Sequence, residues 1–436
     1  MRNSFPPFRQ RSLILYLAFA FLAVPGFDVF AVGEEELRKG FQFYKKNDYI
    51  GAYSNWREAA DKGNVDAMNN IGLLYEKGQG RKQSYSEAAK WYGKAADAGH
   101  VGAMEMMGAF YGKGQGVKRN DAEAARWTRK AADNGSVSAM KRIAILYQIG
   151  RGVEQDSAEA MRWFRKSADG GDVDAMSRVG AYYSQGVGVK PNYTEAIRWF
   201  RKAADGGSTD AMARLGALYF NGLGVRQDYA QAMRWVRKAV DGGDANGMFY
   251  LGLAYESGLG VQQDYSEAVR WLRRAADSGN ADAMDSLGGL YYDGLGPTRD
   301  LDVALRYFQG SQKVTPDDYK EMRIWLCLSL SDRAEDARKH VARYRVDRTP
   351  KGWANSILAF MQGKLTQKEL VKLADSGDAE ERKMQLCEAH FYIGSAELIS
   401  GSRAEAISHF KKCIDTGAAQ VREYRSAKAE LKRLRK

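Results

Sequence analysis

The chain has 436 residues and a formal charge of +12, which is +10 once residues 1–31 are set aside. That sign suits anionic glycans, lipid headgroups or acidic proteins as partners, and no nucleic-acid motif accompanies it. The four histidines and three cysteines show neither an H-E-x-x-H arrangement nor Cys/His metal spacing, so neither a metal site nor a cofactor is expected.

Residues 1–31 read as a secretory signal. Arg2, Arg9 and Arg11 precede an apolar run from Leu13 to Val24, and Val29-Phe30-Ala31 places small residues at the two positions a signal peptidase reads. The run is short for a membrane span of roughly 20 residues, which favours cleavage near Ala31 over an uncleaved anchor. No cysteine follows it, so a lipid anchor is not expected. The expected location is the periplasm, with no integral membrane segment after cleavage.

Residues 34–63 read as an N-terminal capping helix pair. Ala59-Ala60-Asp61 stands 36 residues before Ala95-Ala96-Asp97, in register with the repeat that follows, but the repeat's Trp slot holds Asn55 with Trp56 beside it. The end of a stacked array must show a polar outer face, so an atypical first unit is expected.

From 64 to 312 one pattern is written seven times with a period of 36 residues. Its Met recurs as Met68, Met104, Met140, Met176, Met212, Met248 and Met284, and its Tyr as Tyr75, Tyr111, Tyr147, Tyr183, Tyr219, Tyr255 and Tyr291. Trp recurs as Trp91, Trp127, Trp163, Trp199, Trp235 and Trp271, with Tyr307 in the last slot. A period of this size means stacked supersecondary units. In the unit from Ser208 to Gly243, Ala211, Met212, Leu215, Leu218 and Tyr219 share one helical face. Gly222-Leu223-Gly224-Val225 breaks that helix. Asp228 then caps a second helix whose stripe is Ala232, Trp235, Val236 and Ala239, and Gly242-Gly243 ends it. Gly216 costs roughly 1 kcal/mol against Ala inside a helix. Its recurrence as Gly72, Gly108, Gly180, Gly252 and Gly288, with Ala144 once, points to close helix–helix approach.

The pattern LGxLYxxGxGVxxDyxxAxxWxxKAAdxG resembles the Sel-1-like repeat, a relative of the tetratricopeptide repeat with a longer inter-helix loop. The resemblance implies an all-α, α/α solenoid that scaffolds protein complexes, and it implies no chemistry. One cysteine-rich branch of these repeats is linked to penicillin binding and β-lactam hydrolysis, but residues 64–312 contain no Cys. No nucleophile-elbow or dinucleotide motif is present either, so an enzyme is not expected.

Two sets of polar positions repeat. On the second helices, Arg198, Arg201 and Lys202 recur as a basic ladder opposite the Trp stripe. Glu123, Glu159, Glu195 and Glu267 stand three residues before Arg126, Arg162, Arg198 and Arg270, so a solvated face of i,i+3 pairs outweighs a track for anionic ligands. On the first helices the two slots after Met vary from repeat to repeat. Arg142, Arg178 and Arg214 fill one slot in three consecutive repeats. Phe249 and Tyr250 follow in the next, with Phe220 and Tyr292 two turns further along their helices. Variation on a regular frame reads either as neutral drift or as a surface read by one partner. In the second reading these seven residues form the partner-binding face, because Arg and aromatic side chains dominate interface hot spots.

Residues 315–436 lose the period and read as a helical, tetratricopeptide-like module, punctuated by Pro316 and Pro350. The run from Gln385, QLCEAHFYIGSAELISGSRAEAISHFKKCIDTG, with Trp353, Phe360, Gly363 and Leu365 upstream, resembles the C-terminal part of NlpI-type lipoproteins of Gram-negative envelopes. The resemblance implies an adaptor for envelope peptidases and peptidoglycan-remodelling enzymes, although a lipid-bearing Cys is lacking. Arg422 to Lys436 is strongly basic and reads most simply as a solvated helix. Cys387 and Cys413 lie about equally far from the turn at Ser400-Gly401, so antiparallel packing sets them opposite each other. They are either two small buried thiols or a disulfide, with Cys327 left over.

Two functions fit. The first is an exported periplasmic adaptor that binds an envelope protein such as a peptidase, a sensor-kinase ectodomain or a polysaccharide-export component. The second is a direct binder of peptidoglycan or exported, anionic polysaccharide. Both require export. Mass spectrometry of the mature protein should therefore find an N-terminus at or near Val32. A full-length species retained in the inner membrane would contradict the reading.

Overall fold

The computed structural model describes residues 33–296, 298–331, 333–344 and 350–435. The signal segment expected at 1–31 lies outside the described residues. Among them there are 23 helices and no strand, and the fold is an all-α solenoid. The chain forms two compact units, residues up to 139 with 151–153, and residues 140–150 with 154 onward.

The first unit holds α1 (Glu34–Lys45), α2 (Tyr49–Asp61), α3 (Val65–Lys77), α4 (Tyr85–Asp97), α5 (Val101–Lys113) and α6 (Asp121–Asp133). The capping pair α1–α2 is built like a repeat, with a shorter loop. Only residues 46–48 join its helices, against 78–84 between α3 and α4. Trp56 is 1% exposed and fills a notch at Gly40, where a β-carbon would come within 2.3 Å of the indole. The equivalent contact in the next pair is Gly72 against Tyr92. The loop difference accounts for the spacing, and Trp56 stands where the repeats place Tyr92 rather than Trp91. The core of this end is Ala52, Trp56, Ala59, Ala67, Ile71, Leu74 and Trp91.

The second unit takes in α7 (Val137–Ile149) from Met140, then α8 (Ser157–Asp169), α9 (Val173–Gln185), α10 (Tyr193–Asp205), α11 (Thr209–Asn221), α12 (Tyr229–Asp241), α13 (Ala245–Ser257), α14 (Tyr265–Asp277), α15 (Ala281–Asp293) and α16 (Leu301–Val314). The pair α11–α12 shows how each is made. The Ser208 hydroxyl accepts from the Ala211 N–H at 3.2 Å and starts α11. Gly222 ends it at φ +65°, and Gly224 at φ +71° passes so close to Tyr193 that a β-carbon would meet it at 2.5 Å. The Asp228 carboxylate caps α12 by accepting from the Gln231 N–H at 2.9 Å, as its sequence position predicts. The Asp228 N–H donates to the Tyr219 carbonyl at 3.1 Å, tying the loop back to the end of α11.

Ala232, Val236 and Ala239 are wholly buried, whereas Trp235 is half-buried. At Gly216 a β-carbon would stand 2.5 Å from Val236 Cγ2, which confirms the close approach that its recurrence implies.

The rest of the second unit is α17 (Asp318–Leu330), α18 (Ala334–Ala342), α19 (Trp353–Met361), α20 (Gln367–Ala374), α21 (Ala379–Ile399), α22 (Arg403–Asp415) and α23 (Arg422–Leu434). One core joins it to the last repeat. It runs from Tyr292, Ala304 and Phe308 through Cys327 and Ile357 to Phe391, Phe410 and Leu431. The α21–α22 hairpin uses the short-loop version of the repeat contact. Gly394 faces Phe410, where a β-carbon would come within 2.9 Å. In the same hairpin His390 and His409 share a hydrogen bond, 3.0 Å between Nδ1 atoms. Burial, reinforced by His409, pushes the His390 pKa down to about 4.

Trp199 is 2% exposed and packs in the core of α10. Trp199→Ala should cost about 3–5 kcal/mol locally, seen as faster amide exchange in α9, α10 and α11. Unchanged protection in those helices would contradict this packing.

Candidate functional site

The basic C-terminal helix is not a solvated helix. Ala427 and Leu431 are buried, and the charged side chains of α23 reach across to the first helices of the last two repeats. The Arg422 guanidinium bonds Asp285, and its other amino group lies 3.4 Å from the Ser286 hydroxyl. Arg425 donates to Asp293 at 2.9 Å and also bonds Glu256 on α13. The Ser426 hydroxyl donates to Asp293 at 2.6 Å. Arg323 of α17 donates to Asp285 at 3.0 Å and stands 3.6 Å from Glu423. Arg299 donates to Glu430 at 3.0 Å.

Burial alone would raise the Asp285 pKa, but Arg323 and Arg422 outweigh it and hold the carboxyl below its usual range. Removing one member of such a buried set strands a charge at a cost of about 3–5 kcal/mol. The network therefore fixes where α23 sits more than it adds net stability.

The positions α23 covers on α15 are those that vary among repeats. Counted from Met284 they are Asp285, Ser286, Gly289 and Asp293. Arg425 crosses Gly289 closely enough that a β-carbon there would lie 3.2 Å from its Nη2. One period earlier, α13 presents Phe249, Tyr250, Leu253 and Ser257. Earlier still, α11 presents Ala213, Arg214, Ala217 and Asn221; α9 presents Ser177, Arg178, Ala181 and Gln185; and α7 presents Lys141, Arg142, Ile145 and Ile149. One side of the second unit thus carries a row of equivalent faces, with its own helix seated on the last.

Most of the residues expected to bind a partner lie on or beside this row. Arg142 is exposed. The side chains of Arg178 and Arg214 are 39% and 41% exposed. Each reaches over a ring of the preceding second helix, Arg178 at 5.4 Å from the Phe164 centroid and Arg214 at 5.9 Å from that of Phe200. Phe249 and Tyr250 are half-buried, and burial raises the Tyr250 pKa in a setting shared with Arg214, Asp282 and Asp210. Phe220 is half-buried against Tyr229, 6.1 Å between ring centroids.

Tyr292 does not belong to the face. It is 5% exposed, sits in the core shared with the C-terminal helices, and has Arg299 5.3 Å above its ring. The packing of α17 and α23 on the last repeat takes it out of reach.

The strip is also less basic than its arginines suggest. Arg178 pairs with Asp174 at 3.3 Å and Arg214 with Asp210 at 2.9 Å, each acid one turn earlier. Lys141 pairs with Asp172 at 2.8 Å. Half-exposed pairs of this kind are worth about 0–1 kcal/mol, so their arginines are available to another carboxylate.

The first slot after Met has a second use that the sequence reading missed. It joins consecutive repeats. Glu105 accepts from the Ser136 hydroxyl, Lys141 meets Asp172, and Ser177 lies 2.9 Å from the Ser208 hydroxyl. A matching residue 31 places later, at the cap of the next first helix, is the signal that would have shown it.

Much of the outer ladder is occupied within the chain. Four of its first-rung arginines pair backwards, as in Arg126–Glu123 at 2.6 Å and Arg270–Glu267 at 2.8 Å. Two of its middle rungs reach the repeat Tyr, as Arg273 does Tyr291 at 2.6 Å. Its third rung is not opposite the Trp stripe but lies over it, with Lys202 4.3 Å from the Trp199 ring and Lys166 4.0 Å from that of Trp163. Among the described residues no helix is long and apolar enough to cross a membrane, and no group of three or more side chains could hold a metal ion.

The Sel1 repeat matches residues 65–100, 101–136, 137–172, 173–208, 209–244, 245–280 and 281–309. A protective antigen of uropathogenic Escherichia coli strains, c5321, with an SLR fold, is similar in structure. It shows 26% identity, 92% coverage of this chain, 88% of that one and a TM-score of 0.63. A Sel1 repeat protein from Oxalobacter formigenes is 31% identical over 55% of this chain and 98% of its own, with a TM-score of 0.50. No curated protein sequence matches the chain. Repeats of this kind point to a scaffold for protein–protein interaction, and their solenoids are in general non-catalytic. With seven tandem matches over more than half of its length, this chain belongs to the Sel1 repeat family.

Proposed function

We propose that this protein is an exported, non-catalytic adaptor of the periplasm that grips an envelope protein on the first-helix row of its second unit. The carrying observation is α23. A helix with Arg422 and Arg425 one turn apart is already seated on α15, at slots whose equivalents on α7, α9, α11 and α13 stay at least partly exposed, Ser177 and Ala213 excepted. The secretory pattern at 1–31 and the likeness of the C-terminal segment to NlpI-type envelope proteins support export and an envelope partner. Partners of this class include a peptidase, a sensor-kinase ectodomain or a polysaccharide-export component.

The chemistry of the row defines what fits it. On α15 the slots are acidic and the occupant is basic. On α7, α9 and α11 the second slot holds Arg142, Arg178 and Arg214, so the complementary occupant is acidic. Ile145, Leu253, Phe249 and Tyr250 are half-buried, and Ile149 is 57% exposed. These supply apolar ground for an anchoring side chain, which a neutral sugar does not offer. The partner segment is therefore acidic with an apolar anchor.

Arg178→Glu combined with Arg214→Glu should weaken partner capture after in-cell crosslinking by more than about tenfold, with helical content and Tm near wild type. Arg198→Glu with Arg234→Glu, on the outer ladder, should leave capture unchanged. Loss of capture from the outer pair with the inner arginines silent would place the interface on the other face. Retention of the pure protein on isolated peptidoglycan, unaffected by the inner pair, would support direct glycan binding instead.

A further inference from the structure

The α21–α22 hairpin sets Cys387 against Cys413. Their sulfur atoms are 2.7 Å apart, and both side chains are wholly buried. Even two carbon atoms, which are smaller, make van der Waals contact only at about 3.5–4.0 Å. A bonded sulfur pair lies at about 2.03–2.05 Å. Both cysteines are free thiols in this structure, and their sulfurs face each other closely enough for a bond to form with little movement of the packed helices.

The surroundings support the same pairing. The two residues sit on facing helices whose backbones are drawn together at Gly394, where Phe410 fills the place of a β-carbon. Cys327 lies in the same core with its pKa pushed up to about 12 by burial, and it bonds neither of the others. The pairing is therefore unambiguous.

We propose that Cys387 and Cys413 are a disulfide site, oxidised by exchange with a dithiol–disulfide oxidant as the hairpin forms. One cysteine, as thiolate, attacks a sulfur of the oxidant and releases one of its thiolates. The second cysteine then attacks the mixed disulfide and releases the other. One S–S bond forms and one breaks, and two electrons and two protons pass to the oxidant, which leaves as a dithiol. The closed core admits neither the oxidant nor a thiolate. The neighbouring Cys387 and burial both push the Cys413 pKa upward. Exchange therefore belongs to the open chain, before packing is complete. The bond ties residues 26 apart in sequence and fixes the stem from which α22 leads into α23. This inference is independent of the proposed partner face, although an exported chain would meet such an oxidant.

The test uses the full chain, unfolded in denaturant and refolded in a buffer of reduced and oxidised glutathione, then alkylated and digested without reduction. The expected map joins the Cys387 peptide to the Cys413 peptide and leaves Cys327 alkylated. Tm should fall on reduction, and amides of α23 should exchange faster. The double variant Cys387→Ala, Cys413→Ala should have a Tm that reductant does not move. Three alkylated cysteines, glutathione carried separately on Cys387 or Cys413, or a wild-type Tm indifferent to reductant would overturn the proposal.

Discussion

Most helix pairs of this chain depend on a position that lacks a β-carbon. On five first helices a glycine faces one large side chain of the second: Gly72 meets Tyr92, Gly180 meets Phe200, Gly216 meets Val236, Gly252 meets Leu272 and Gly288 meets Phe308, while Gly108 meets Thr128 and Ala144 takes the slot on α7. An added β-carbon would lie 2.5–2.8 Å from that neighbour in all five. The helical glycine costs roughly 1 kcal/mol against Ala, and burying a Val, Leu or Phe in the notch returns about 1.5–3 kcal/mol. The facing residue needs only to fill the notch, which is why its identity changes while the glycine stays. The same contact closes the short-loop pairs, Gly40 with Trp56 and Gly394 with Phe410.

A frame held this way leaves its other positions free for separate tasks. The first slot after Met joins neighbouring repeats through pairs such as Lys141 with Asp172. The Lys or Arg after each Trp covers its own ring, as Lys202 does Trp199. What remains is the row of faces on α7 to α15, where charge changes sign along one side of the second unit. Arginines sit on α7, α9 and α11, and acids sit at Glu256, Asp285 and Asp293. The chain's own basic helix satisfies the acidic end. The arginine end is balanced only by half-exposed aspartates, whose pairing is weak enough to be exchanged.

The repeats, their caps and the glycine contacts were legible in the sequence because a fixed period shows the same residue doing the same work several times over. Asp228 was recognisable as a cap for that reason. Features used once were not legible. The basic run from Arg422 looked solvated because its partners lie far off in sequence, Asp293 being 132 residues from Arg425, and no periodicity links them. Tyr292 looked like part of the face because its slot matches that of Phe220. Only the packing of α17 and α23 on the last repeat buries it. The pairing of Arg178 with Asp174 and of Arg214 with Asp210 was within reach, since i,i+4 spacing is visible in the sequence, and it tempers the basic strip that the arginines alone suggest.

The central claim is that the first-helix row binds a partner as α15 binds α23. A photo-crosslinking amino acid at Ala217, in the middle of the row, tests it most directly when compared in cells with the same residue at Gln231 on the second helix. The account predicts adducts from Ala217, mapped to an acidic segment of one envelope protein, with none from Gln231. Adducts from Gln231 with Ala217 silent, or Ala217 adducts that map to basic segments, would contradict it.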